Sequence, residues 1–226
     1  MFDFNMMWVF QKLATIPAIL IALTLHELSH GFVAYCLGDT TAKSMGRLSL
    51  NPLKHLDPLG TLCLLFVGFG WAKPVPVNPY ALKKNPHAGM AWVAAAGPAS
   101  NLCMALLGGV FLLIYLNVVG YGWLFGTGYN FTLFLGLFFI YFIQINIVLM
   151  VFNLIPLPPL DGSRIVSVFL PAEARYRYNS IERYGTVILL ALCIVPVGGS
   201  TVISWILNVP VNFLTDLIYS LAGLSL

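Results

Sequence analysis

In the stretch Leu25-His26-Glu27-Leu28-Ser29-His30-Gly31, two histidines stand four residues apart with a glutamate directly after the first. Residues four apart lie on one face of a helix, so both imidazoles can converge on a single ion. Glu27, one step round, points beside that ion and can take a proton from a water bound there. This is the donor pattern of a hydrolytic zinc centre, with His26 and His30 as ligands and Glu27 as base. A catalytic zinc needs a third protein ligand and one open position. The other carboxylates are Asp3, Asp39, Asp57, Asp161, Glu173, Glu182 and Asp216. Asp161 stands apart because it closes a long uncharged stretch in a Pro-rich break, where the chain can turn a carboxylate inward. Its other reading is an N-cap beside Gly162.

The setting of these residues is set by composition. Of 226 residues, 59% are apolar and 8% are charged, far below the charge content of about 25% in soluble domains. So few charges cannot cover a soluble surface, and the natural solvent is lipid. Glu27 is the only formal charge between Lys12 and Asp39. No Asp, Glu, Lys or Arg occurs from Asn85 to Leu160, and none between Arg183 and Asp216. Each run is long enough for at least one span of about 20 residues. A glutamate and two histidines in mid-span are expensive to keep there, which marks them as functional.

The elements follow from these runs. Leu13 to Leu37 reads as the first transmembrane helix, with Pro17 in its opening turns and Gly38-Asp39 closing it. Pro58 to Trp71 is too short for a span and suits a re-entrant segment. Gly46 to Asn51 and Pro74 to Pro79 have the character of short strands. Ala88 to Val119 and Phe131 to Phe152 are further spans. Tyr184 to Leu207 is a fourth apolar run broken at Pro196-Val-Gly-Gly199, and Val209 to Leu226 is either a further span or an interfacial helix. The expectation is an all-α polytopic membrane protein of about five or six transmembrane helices. A re-entrant segment and short strands lie between the first two long ones. The segment carrying His26 has no cleavage site after it and reads as a retained span.

Lys and Arg fall in 43–54, 73–84 and 164–183, with none in 120–130. Positive charge marks cytoplasmic loops, so the first helix ends toward the cytoplasm of a cell (inner) membrane. His30 then lies roughly 10 Å from that end at 1.5 Å per residue. The net charge of +3 is too small to suggest a nucleic-acid partner. Cys36, Cys63, Cys103 and Cys193 stand singly in apolar runs, as small buried residues with no Cys-x-x-Cys pair among them.

The pairing of HELSH in a first core helix with NLIPLPPLDG at 153–162 resembles the site-2 protease family of intramembrane zinc metalloproteases. Its compact prokaryotic branch is similar in Gly38-Asp39-Thr-Thr-Ala-Lys43, Gly46-Arg47-Leu-Ser-Leu-Asn51-Pro52 and His55-Leu-Asp57-Pro58-Leu-Gly60. Trp71-Ala-Lys-Pro-Val-Pro-Val-Asn78-Pro79 and Ala96-Gly-Pro-Ala-Ser-Asn101 match it as well. The resemblance covers most of residues 20 to 170, while the last 50 residues match only as apolar spans. It implies that His26, His30 and Asp161 hold one zinc ion per chain and that Glu27 is the general base. It also implies that Asn153 lies near the substrate, and that Asn101 supports the site by hydrogen bonding within the bundle. The implied substrates are transmembrane proteins or peptides, cut in or near the bilayer. The chain has no room for the PDZ or CBS insertions of larger relatives. It reads as one metalloprotease domain over 1–226, with a core at about 13–170 and accessory spans at about 180–226.

Two other classes carry weaker support. A metal transporter needs a polar pathway through several spans, and these show little beyond the Asn and Gln residues of 144–153. A silent helix-binding scaffold would not need His26, Glu27, His30 and Asp161 together. His55 and Asp57 could pair on an accessory metal, although such a pair beside Pro and Gly more often fixes a turn. His87 reads as interfacial. One of the short strands could pair with an unwound substrate by β-addition.

Overall fold

The computed structural model describes residues 6–58, 60, 70–83, 85–120 and 131–224. It is helical for most of its length. The first helix, α1 (Met6–Cys36), is 31 residues long, so it starts seven residues before the Leu13 expected from sequence. Pro17 therefore lies well inside it. The long apolar flank sustains the helix because backbone groups in lipid have no water to bond and stay paired within the helix.

The buried face of α1 is unusually regular. Ala14, Ala18, Ala22, His26, His30 and Ala34 are all buried and recur every fourth residue. Small side chains in such a row let neighbouring helices approach closely, and they put the two histidines in the seam between helices. After α1 come a single turn, α2 (Thr41–Ser44), and a 3-10 turn at Pro52–Lys54.

The second long helix, α3 (Pro86–Val119), is capped by Asn85, whose side chain accepts from the His87 N–H at 3.0 Å. Pro86 occupies the first helical position, where its missing N–H costs nothing. Gly89, Val93, Gly97, Asn101 and Ala105 form the buried row of α3 facing the seam. The third, α4 (Phe131–Asn153), buries Ile143, Asn146, Ile147 and Met150. Packing of α1, α3 and α4 encloses the histidines, while Leu112, Ile143, Ile147, Ile218 and Tyr219 form the apolar core beside them.

The chain then reverses through 154–160 into the short helices α5 (Asp161–Ser167) and α6 (Ala172–Asn179). Helix α7 (Glu182–Ile194) has 13 residues, about 20 Å at 1.5 Å each, short of the ~30 Å hydrocarbon layer. A hairpin of β1 (Pro196–Val197) and β2 (Ser200–Thr201) turns through Gly198 and Gly199, with φ of 61° and 88°. Two consecutive positive φ angles suit a tight two-residue hairpin turn. Thr201 caps the final helix, α8 (Val202–Leu221).

Among the described residues, four helices are long and apolar enough to cross a membrane: α1, α3, α4 and α8. The chain is thus a multi-pass membrane protein. The fourth apolar run of the sequence is divided by the hairpin between α7 and α8. Most of the expected re-entrant segment, 58–71, lies outside the described residues.

The strands expected at 46–51 and 74–79 do not form a ladder. The described residues between the first two long helices hold one isolated bridge, Leu56 to Ala72, which lies outside both ranges. Pro74 and Pro76 have no N–H to donate, and the nearby donors are engaged elsewhere. The Val75 N–H goes to Glu27 at 3.0 Å and the Asn78 N–H to Asp39 at 2.7 Å. Arg47 and His55 stitch the two loops together. Arg47 donates to the Lys73 carbonyl (2.7 Å), His55 to the Ser49 carbonyl (2.7 Å), and the Lys73 N–H to the His55 carbonyl (2.8 Å). Asp57 accepts from the Gly60 N–H at 2.9 Å. His55 and Asp57 thus fix turns. Cys36 and Cys103, expected to be buried, are exposed and Cys193 is half-buried, while Cys63 lies outside the described residues.

Asp39 ties the end of α1 to this loop. Buried, it accepts from the Thr41 N–H (2.9 Å), the Thr41 hydroxyl (2.5 Å) and the Asn78 N–H. Burial pushes its carboxyl up, but these donors outweigh burial and leave it below its ordinary value. A lowered folded value means stability that is fully present above the unfolded pKa of about 3.9 and is lost as pH falls through the folded one. Asp39→Ala, which strands these donors, is expected to cost about 1–3 kcal/mol at neutral pH. The deficit in thermal unfolding of detergent-purified protein should shrink as pH drops below about 4. A deficit unchanged down to pH 2 would contradict this role.

Candidate metal centre

Three potential ligand atoms converge where α1, α3 and α5 meet. The Nε2 atoms of His26 and His30 are 3.1 Å apart, and Asp161 Oδ2 lies 3.3 Å from each. Among the described residues this is the one group of three such side chains close enough to share an ion.

The other ring nitrogens settle what these atoms are. His26 Nδ1 is 2.5 Å from Asn101 Oδ1, and His30 Nδ1 is 2.7 Å from the Val93 carbonyl. Both partners are acceptors, so each Nδ1 carries the proton. In the neutral rings each Nε2 then presents a lone pair. Two lone pairs and a carboxylate oxygen face one another, and Asp161 Oδ2 is buried without a hydrogen-bond partner. Such a cluster calls for a cation. The separations suit zinc, since bonds of about 2.0–2.1 Å in a tetrahedron put ligand atoms roughly 3.3 Å apart.

Local sequence explains the convergence. Leu160, extended, is the N-cap residue of α5, so Asp161 is its first helical residue and its carboxylate makes no cap. It turns toward the histidines instead, and the N-cap reading of Asp161 does not hold. Gly162 allows α5 to begin against the end of α4, because a Cβ there would overlap the Leu154 carbonyl. Gly97 does the same for α3. A Cβ on Gly97 would collide with both imidazoles, so the absence of a side chain is what lets α3 cover the metal-binding face.

The donors open onto a cavity of about 480 Å³, a size suited to a segment of substrate. Glu27 lines it beside the histidines, with Trp71, Pro74, Val75 and Val77 on one wall and Asn153 nearby. The backbone N–H of Val75 holds Glu27 Oε2 at 3.0 Å. Asn153 donates Nδ2 to the Leu149 carbonyl at 2.9 Å, which leaves its second amide hydrogen and its oxygen available. Asn101 does not line the cavity. It is fully buried behind His26 and bonds to Asn146.

Sequence reasoning missed five contributors to the cavity and its support. Thr186, Leu189 and Leu190 of α7 line it, although α7 carries no motif. Arg164, also at the cavity, pairs with Glu182 at 3.5 Å. Asn146, one of the few polar residues in its span, was the one detectable signal.

Residues 14–196 match the family model described as Peptidase family M50. This chain belongs to that family. Similar proteins carry the words zinc metalloprotease in their names. A protein of Bacillus subtilis named "Putative zinc metalloprotease YwhC" is 46% identical over 198 residues, 85% of this chain and 87% of the relative. "Putative zinc metalloprotease Rip2" of Mycolicibacterium smegmatis is 29% identical over 187 residues, covering 78% of this chain and 65% of the relative. Its namesake in Mycobacterium tuberculosis is 29% identical over 204 residues, covering 88% and 71%. No solved structure matches the chain at a significant level.

If Gly97 is the clearance for the imidazoles, Gly97→Val should displace them and lower zinc affinity by at least about tenfold, the scale of effects next to a ligand shell. Zinc per mole of protein, measured beside helix content by circular dichroism, checks this. Full zinc occupancy in a folded Gly97→Val protein would refute it.

Proposed function

We propose that this member of family M50 is an intramembrane zinc metalloprotease whose ion is held by His26, His30 and Asp161, with Glu27 as general base. The observation that carries this is the triangle of three electron-rich atoms with the Glu27 carboxylate beside it, held through one oxygen by the Val75 N–H. Bound there, zinc would polarise the scissile carbonyl and lower the pKa of a water toward 7.

The chain's own residues supply the rest. Glu27 takes the proton of the attacking water and delivers it to the leaving amine nitrogen. The Val75 N–H holds one carboxylate oxygen, leaving the other for the proton. Asn153 can hold the substrate backbone or the carbonyl as it gains charge, through the amide hydrogen its own helix does not use. A helical substrate must unwind before its backbone is reachable. The extended wall at 72–78 lines the cavity, so an unwound backbone would lie alongside it. The substrates are therefore transmembrane proteins or peptides cut in or near the bilayer, as in regulated intramembrane proteolysis or clearance of signal-peptide remnants.

The reading extends to organisation and side. The chain acts as one catalytic unit, with a core at about 13–170 and helices after about 180 that close the cavity. His30 lies six residues before Cys36, about 9 Å along the helix axis. The loops beyond that end carry Lys43, Arg47, Lys54, Lys73 and Lys83, which favours a site toward the cytoplasmic face.

Purified protein reconstituted with a membrane-spanning substrate tests the assignment. Glu27→Gln should retain zinc and lose about 10²–10⁴-fold in cleavage rate, while Asp161→Ala should lose both zinc and cleavage. Cleavage at the wild-type rate by Glu27→Gln would refute the mechanism.

A further inference from the structure

A chain of side-chain hydrogen bonds begins at a backbone carbonyl of α4 and ends on His26. We propose that Asn146 is a positioning residue for the zinc site, acting through Asn101 to fix which nitrogen of His26 carries its proton. This rests on the reading of His26 as a ligand.

The case is one of polarity. Asn146 Nδ2 donates to the Phe142 carbonyl at 2.8 Å. A carbonyl only accepts, so the oxygen of the Asn146 amide is the end left for Asn101. Asn101 Nδ2 donates to that oxygen at 2.8 Å. The Asn101 oxygen is therefore the end that meets His26 Nδ1, at 2.5 Å. An oxygen there requires a proton on Nδ1, which leaves the lone pair on Nε2, where Asp161 and His30 converge. An amide can be turned end for end with little change of shape. The fixed carbonyl of Phe142 is what prevents both from turning.

The two histidines are held differently. His30 meets a backbone carbonyl, Val93, directly, and that acceptor cannot reverse. His26 depends on two side chains, both fully buried, so no bulk water replaces a missing member. Without the Asn146 oxygen, the Asn101 amide is free to reverse and offer Nδ2 to the ring. His26 would then carry its proton on Nε2, hydrogen-bonded to His30 Nε2 or Asp161, in a closed metal-free state that competes with zinc. Asn146 does not line the cavity, so it touches no substrate.

The experiment uses full-length protein in detergent with histidine labelled by ¹⁵N. Zinc affinity is measured by chelator competition at one pH, and the ring tautomers are read by NMR in the zinc-free protein. In the wild type, His26 should be protonated at Nδ1. Asn146→Leu should weaken zinc binding about 10–100-fold and shift His26 toward the Nε2–H form. Asn146→Asp should stay within a few-fold of wild type. As a buried carboxylic acid its O–H still donates to Phe142 and its carbonyl still accepts from Asn101. His26→Leu should lose zinc outright. An Nε2–H tautomer of His26 in the wild type, which needs no variant to fold, would overturn the proposal. So would equal losses in Asn146→Asp and Asn146→Leu, or normal affinity in Asn146→Leu while His26→Leu fails to bind. Normal affinity in His26→Leu would overturn the ligand assignment beneath it.

Discussion

Two imidazole lone pairs and a carboxylate oxygen within 3.3 Å of one another repel unless a cation lies between them. In water such groups would drift apart or be hydrated. Here they sit in a seam between helices, where a polar group without a partner costs several kcal/mol. The fold has to hold them together against that repulsion, and its other features follow from this constraint. Each ring is gripped from behind by an acceptor, and the carboxylate is delivered by a short helix that begins where the chain reverses.

Close approach is the second requirement, and small residues provide it. The alanines at 14, 18, 22 and 34 share the row that carries His26 and His30, so partner helices contact backbone where the histidines do not intervene. Across the seam Gly97 leaves room for the rings, and Asn101, one turn further along α3, reaches behind His26. A larger residue in either row would separate the helices and remove the hydrogen bonds that set the tautomers. Packing and chemistry therefore depend on the same spacing of four.

Much of this was legible in the sequence. His26, Glu27 and His30 are local, and helix geometry alone puts them together. Asp161 was legible because a charge ending so long an uncharged run has few structural reasons to be there, although its N-cap reading fell only when Leu160 took that position. The spans at Ala88–Val119 and Phe131–Phe152 came within a residue or two of α3 and α4. The early start of α1 was not legible, since Pro17 suggested a boundary that the lipid-facing helix overrides. The strands at 46–51 and 74–79 failed because an extended character in the sequence does not say what the N–H groups bond to. Asn146 was visible only as a polar residue in an apolar span, because its partner is 45 residues away in the chain. Nor does α7 announce itself, since its cavity residues Thr186, Leu189 and Leu190 are ordinary members of an apolar run.

The hydrogen bond from Val75 to Glu27 joins the carboxylate proposed as the base to the wall of the cavity. That wall is anchored at its far end by Asp39, which takes the Asn78 N–H, and at its near end by Arg47 and His55 through Lys73. The carboxylate that must sit within hydrogen-bond reach of a water is thus oriented by the segment against which a substrate would lie. Movement of the wall moves the base, because an extended segment pinned at both ends cannot shift Val75 alone. A cavity widened by displacing residues 72–78 would also release Glu27 Oε2, leaving the base poorly placed when the wall is out of position. If the substrate is an unwound transmembrane segment, as proposed, this coupling ties readiness for chemistry to an intact wall.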